Sequence, residues 1–141
     1  MNPIVQSLLL AERVYQDLKS KRFIVTGIFN SIQFSDFDSN SQKIQPGRPG
    51  SPWVYISVTE VRKSTEFQLR YVNLRNDAII MGAKFTIDSD DPLRVHEVGF
   101  GMPMPPITEG VQELQLLVDE CLLSRTRVTV VKMENNHDQS D

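Results

Sequence analysis

The chain holds one cysteine in 141 residues. Cys121 has no second thiol to pair with, which excludes an internal disulfide and leaves no argument for an oxidising compartment. No reactive-cysteine signature surrounds it, so it reads as a small apolar filler near a strand end. A basic excess is missing too. Eighteen acidic residues against 15 basic ones leave a net charge of −3. The basic residues fall in small groups (Lys19, Lys21 and Arg22; Arg62 and Lys63; Arg125 and Arg127) and not in a stripe. Binding to a phosphate backbone needs such a stripe, so nucleic acid is not an expected partner. Long apolar runs are absent as well. Residues 8–11 form a short one that meets Glu12 and Arg13 at once. A membrane span takes about 20 apolar residues, and a signal peptide needs a longer apolar stretch behind a basic start. The expectation is a cytoplasmic protein with no membrane partner.

What the chain does have is alternation. Apolar residues recur at period two in runs of strand length, separated by turn chemistry. The expected strands are 7–15, 22–34, 53–60, 67–71, 79–87, 94–102, 111–122 and 127–133. Val54, Ile56 and Val58 share one face, as do Met81, Ala83, Phe85 and Ile87, and as do Leu114, Leu116, Val118 and Leu122. The last two strands form a closing hairpin around Ser124 and Arg125. A lone hairpin is unstable in water, so it needs a larger sheet to join. Eight strands with turn signals at regular spacing predict an all-β fold: an antiparallel β-sandwich of about eight strands, although closure into a barrel would give much the same pattern. One domain covers residues 1–133, and the polar tail 134–141 is expected to be disordered.

Strict alternation of eight strands sorts the connections to two ends. One end collects the turns at 16–21, 61–64, 88–92 and 124–125. The other collects the chain start, 75–77, 103–108 and the loop 35–52, which is rich in Ser, Asn, Gly and Pro. Long loops on a rigid scaffold are where binding residues concentrate.

Few residues offer chemistry. Asp36, Asp38 and Asn40 have the spacing that opens a calcium loop, but Ser41 and Gly47 stand where that loop needs glycine and glutamate. Asp88, Asp90 and Asp91 fall at the opposite end. His96 shares parity with Val98 and Phe100 and reads as a half-buried histidine, with titration near neutral pH as its functional alternative. Glu12 shares parity with Leu8, Leu10 and Val14, and Glu120 with the inward residues of its strand. A buried carboxylate must be paired, hydrogen-bonded or protonated. Trp53 follows Pro49-Gly50-Ser51-Pro52 as a loop-edge aromatic or a core cap. Met102-Pro103-Met104-Pro105-Pro106 suits an extended segment, either a docking strip or a stiff crossover. There is no phosphate loop, nucleophile elbow or H-E-x-x-H motif. No catalytic set, metal site or cofactor is expected.

Three stretches resemble a family. They are Leu8-Leu9-Leu10-Ala11-Glu12-Arg13-Val14, Thr26-Gly27-Ile28-Phe29-Asn30-Ser31-Ile32, and Glu109-Gly110 with Leu114, Leu116, Val118 and Asp119. Together they resemble an uncharacterised family of small bacterial all-β proteins. Its members open with an apolar strand ending in an acidic residue, continue through G-x-F-x-x-I and finish on a V-D-G hairpin. Here Glu120 stands where that glycine falls, and Gln112 where the family has an aromatic. The resemblance implies an immunoglobulin-like sandwich and implies no activity.

The expected function is therefore non-enzymatic: a β-sandwich that binds a protein partner or forms a homo-oligomer. The alternative is a small-molecule or carbohydrate binding module, or a weak hydrolase, using the 35–53 loop. Its weak candidates are Asp36, Asp38, Trp53, His96 and Glu12.

Overall fold

Alternating apolar residues pair into nine strands in the computed structural model, which describes residues 2–34, 51–103 and 108–132. In chain order they are β1 (Ile4–Gln16), β2 (Phe23–Ile28), β3 (Ser31–Phe34), β4 (Trp53–Thr59), β5 (Lys63–Asn73), β6 (Ala78–Ser89), β7 (His96–Gly101), β8 (Gly110–Val118) and β9 (Cys121–Lys132). A four-stranded sheet runs β2-β1-β4-β7 and a five-stranded sheet runs β3-β9-β8-β5-β6. All pairings are antiparallel except β3 with β9. The fold is all-β, a two-sheet sandwich with nine strands where the sequence suggested eight.

The core lies between the sheets. Val54, Ile56 and Val58 of β4 face Phe67, Leu69 and Tyr71 of β5 and Leu114 and Leu116 of β8, all buried. Phe67 and Phe85 stack across β5 and β6 with ring centroids 5.2 Å apart. Phe85 in turn meets Phe100 of the other sheet edge-on at 6.3 Å. This aromatic column closes the side of the sandwich where β6 and β7 are the edge strands. Inside the core the Tyr71 hydroxyl donates to Gln112 Oε1 at 2.6 Å, and burial pushes the Tyr71 pKa upward.

The extra strand comes from residues 22–34, expected as one strand. They form β2 and β3, which join different sheets after a reversal at Phe29–Asn30. Backbone bonds hold that corner: the Phe29 amide donates to the Leu10 carbonyl, and the Thr129 amide to the Asn30 carbonyl. The added reversal changes which turns share an end. The chain start lies beside Glu60 and Asp119, at the end opposite Trp53. The turn 17–22 lies at the end where β4 begins, because β1 runs antiparallel to β4 and past it. The tail 134–141 and most of the Pro-rich strip lie outside the described residues.

The closing hairpin also turns elsewhere. Val118 pairs with Cys121, so the two-residue turn is Asp119–Glu120 and not Ser124–Arg125. Both residues have positive φ, 49° and 65°, the combination that matches the right-handed twist of flanking strands. Leu122 is consequently 41% exposed, not on the core face of Leu114 and Leu116. Glu120, expected inward, is exposed in the turn, and Cys121 is an exposed thiol rather than a filler. Asn2 Nδ2 donates to Cys121 Sγ at 3.3 Å.

A left-handed backbone at a non-glycine residue costs roughly 1–2 kcal/mol, part of which glycine returns as chain entropy in the unfolded state. Glu120→Gly is therefore expected to stabilise the protein by about 0.5–1 kcal/mol. Urea unfolding measures this, and an unchanged or lowered midpoint would contradict it.

Candidate functional site

β1 changes partner at Ala11, from β4 to β2, and the β1–β2 hairpin folds across the outer face of the four-stranded sheet. Gly99 makes room for it. A Cβ on Gly99 would lie 2.7 Å from Val14 Cγ1 and 3.4 Å from the Phe23 ring. The Phe23 ring also packs on Tyr55, centroids 5.8 Å apart. The change of partner shifts the buried positions to Ala11 and Val14. Glu12, expected inward, is exposed and lies over Gly27, whose φ of +68° and missing side chain admit the Glu12 methylenes.

Two of the sequence candidates, Glu12 and Trp53, lie at this end of the sheet. Glu12, Arg13, Ser51 and Pro52 line a groove of about 390 Å³, and the Arg13 guanidinium lies 6.0 Å from the Trp53 ring centroid. Trp53 is half-buried, and its indole N–H has no hydrogen-bond partner among the described residues. Asp36 and Asp38 lie outside the described residues.

His96 sits at the opposite end. Its Nε2 lies 2.9 Å from Ser89 Oγ, a serine–histidine contact that invites a catalytic reading. Ser89 Oγ, however, donates to the Asp91 carbonyl at 3.0 Å and accepts from the Asp91 amide at 3.4 Å. The hydroxyl is engaged in holding the β6–β7 turn. Among the described residues no carboxylate is bonded to His96, so the arrangement lacks the group that orients a general base. Nor does any cluster of three His, Cys, Asp or Glu among those residues suit a metal ion. No helix among them is long and apolar enough to cross a membrane.

On the outer face of the four-stranded sheet the Tyr55 hydroxyl donates to Glu97 Oε2. Burial first, then the Glu97 carboxylate, push the Tyr55 pKa from 10.0 up to about 12. A folded pKa above the unfolded one means the contribution is whole below pH 10 and is lost as pH rises through about 12. Alkaline titration followed by tyrosinate absorbance is expected to leave Tyr55 and Tyr71 protonated at about pH 11, with urea stability falling over that interval. Ionisation of all three tyrosines near pH 10 in the folded protein would contradict this.

The sequence reading missed the carboxylate that is buried. Glu113, on the outer face of β8, is 1% exposed. Its Oε2 accepts from Arg127 Nε at 3.3 Å, and its Oε1 from Gln115 Nε2 at 2.7 Å. Gln115 Oε1 accepts in turn from Arg70 Nε at 2.8 Å. The signal is Arg127, which opposes Glu113 only once the turn is placed at Asp119–Glu120.

The remaining feature is an edge. Four strands end the two sheets, and three are short: β2 with six residues, β3 with four and β7 with six. Short edges limit unwanted strand pairing. β6 differs, with 12 residues. It pairs with β5 in unbroken register from Met81 to Ser89, the one irregularity lying at Ile80. Only Lys84 and Asp88 carry charge along it. Beside it, Leu69, Met81, Phe100 and Met102 line an apolar cleft of about 130 Å³ between the sheets. Ile79 is 59% exposed. No protein-family model and no curated protein sequence matches the chain.

Proposed function

We propose that this protein is a non-enzymatic binding module, cytoplasmic, that associates with protein by adding a strand to the free edge of β6. The observation carrying the reading is the regular edge from Met81 to Ser89, unpaired on one side among the described residues. Its outward amides and carbonyls form a template for an extended strand, and such pairing supplies affinity through main-chain hydrogen bonds. The bonding of Ser89 within its own turn argues against hydrolysis.

A charge on the edge tests this. Thr86 is exposed near the middle of the regular run, and Thr86→Lys places a charge on the face of the edge, beside the side chains that an added strand would bring there. Sedimentation across a wide concentration range and a native pull-down are compared for the two proteins. The expected result is an oligomer or a complex that the wild type forms and the variant loses. A wild type that stays monomeric and retains nothing the variant lacks would refute the reading.

A further inference from the structure

We infer that the strand added to β6 is β6 of a second copy, paired antiparallel about a two-fold axis at Thr86; the inference rests on the edge-binding reading above. A closed dimer needs an isologous contact, and within one sheet that means antiparallel pairing of a strand with itself. In such a pairing opposed residues keep the same face, so the charges decide the register.

Lys84, Thr86 and Asp88 lie on the outer face of β6, all exposed. An axis through Lys84 sets lysine against lysine, and an axis through Asp88 sets aspartate against aspartate. Like charges directly opposite destabilise a pair. An axis through Thr86 instead sets Lys84 against Asp88 of the second copy, twice by symmetry. The two Thr86 side chains meet on the axis, a pairing suited to a hydroxyl hydrogen bond. On the inner face the same register sets Phe85 against Ile87, joining the two cores. Lys84 already lies 3.9 Å from Glu66 on the β5 side, so the second carboxylate approaches from the side that is unpaired among the described residues. The result is one continuous sheet of ten strands across two sandwiches, five from each copy.

Cross-linking reads the register directly. Cysteines bridge when their Cβ atoms are about 3.5–4.5 Å apart, and directly opposed residues of an antiparallel pair approach that spacing. In a Cys121→Ser background, which removes the exposed native thiol, Thr86→Cys is expected to form an intermolecular disulfide under mild oxidation. Lys84→Cys is expected not to, because the two copies of that position lie four residues apart along the strands. Asp88→Lys is expected to weaken the dimer about tenfold or more, and Lys84→Asp with Asp88→Lys to restore it.

A dimer that cross-links equally at both positions, or only at Lys84, overturns the register and leaves self-association standing. A Cys121→Ser protein that is monomeric at every concentration overturns the dimer itself. The edge-binding reading is then decided separately, by whether Thr86→Lys loses a partner that the wild type retains.

Discussion

Phe67→Ala is expected to lower stability by about 3–5 kcal/mol, the largest single effect in this protein. The side chain is fully buried and is stacked on Phe85 at an interplanar angle of 8°. Its removal forfeits the transfer of a large ring from water. It also leaves a void that the surrounding strands fill only in part. The neighbourhood makes collapse difficult. Phe85 is held on its other side by Phe100, which belongs to the facing sheet, so closing the void requires the two sheets to move together at the β6–β7 side. Urea unfolding measures the loss, and a cost below about 2 kcal/mol would mean that this side of the sandwich repacks freely. Phe67→Leu, which keeps most of the apolar volume, is expected to cost less than half as much, about 1–1.5 kcal/mol.

The second large effect concerns Glu113, and it separates covering from pairing. The Arg127 guanidinium pairs with the carboxylate, the arginine side chain 65% exposed and the glutamate 1%, and the apolar stem of an arginine also covers surface beneath it. Arg127→Met keeps an unbranched apolar stem and removes the charge. The carboxylate then stays buried with Gln115 as its remaining side-chain donor, and the expected cost is about 3 kcal/mol. Arg127→Ala removes the stem too and admits water, so about 1 kcal/mol is expected. The larger residue is thus the more damaging one. Replacing both members, Glu113→Leu with Arg127→Met, is expected to recover most of the loss, since an apolar pair leaves no charge stranded. Equal costs for the two single variants would show that the stem does not shelter Glu113, and negligible costs for both would show that Gln115 and not Arg127 holds the carboxylate.

The alternation in the chain translated directly into burial where a strand stays flat and keeps its partner. Val54, Ile56 and Val58 are each 1% exposed or less, as their shared parity requires. Parity misled where a strand bends or changes partner. Glu12 sits two residues beyond Leu10 and was expected beside it in the core, but β1 leaves β4 at Ala11. From there the hairpin wraps the outer face over Gly99, and the inward positions become Ala11 and Val14. A period of two carries no information about such a bend, because the bend is set by what the strand packs against.

The hairpin turn was misplaced for a related reason. Ser124-Arg125 looks like turn chemistry, whereas Asp119-Glu120 lacks the glycine that usually marks positive φ. Glu120 nevertheless adopts a left-handed conformation in that turn. With the turn shifted, Arg127 moves opposite Glu113, and the buried carboxylate becomes intelligible. One misplaced turn therefore concealed an ion pair as well.

Local patterning alone determined that the chain is all-β and which alternating residues of its flat strands build the core. These follow from side-chain direction and apolar burial, which act over a few residues. Tertiary structure alone decided that residues 22–34 serve two sheets, that β3 pairs parallel with β9, and that Glu113 and not Glu12 is buried. It also left β6 as a long edge. Strand order carries no local signature: it reflects which distant segments bury the most surface together, and so which strand remains with one side unpaired.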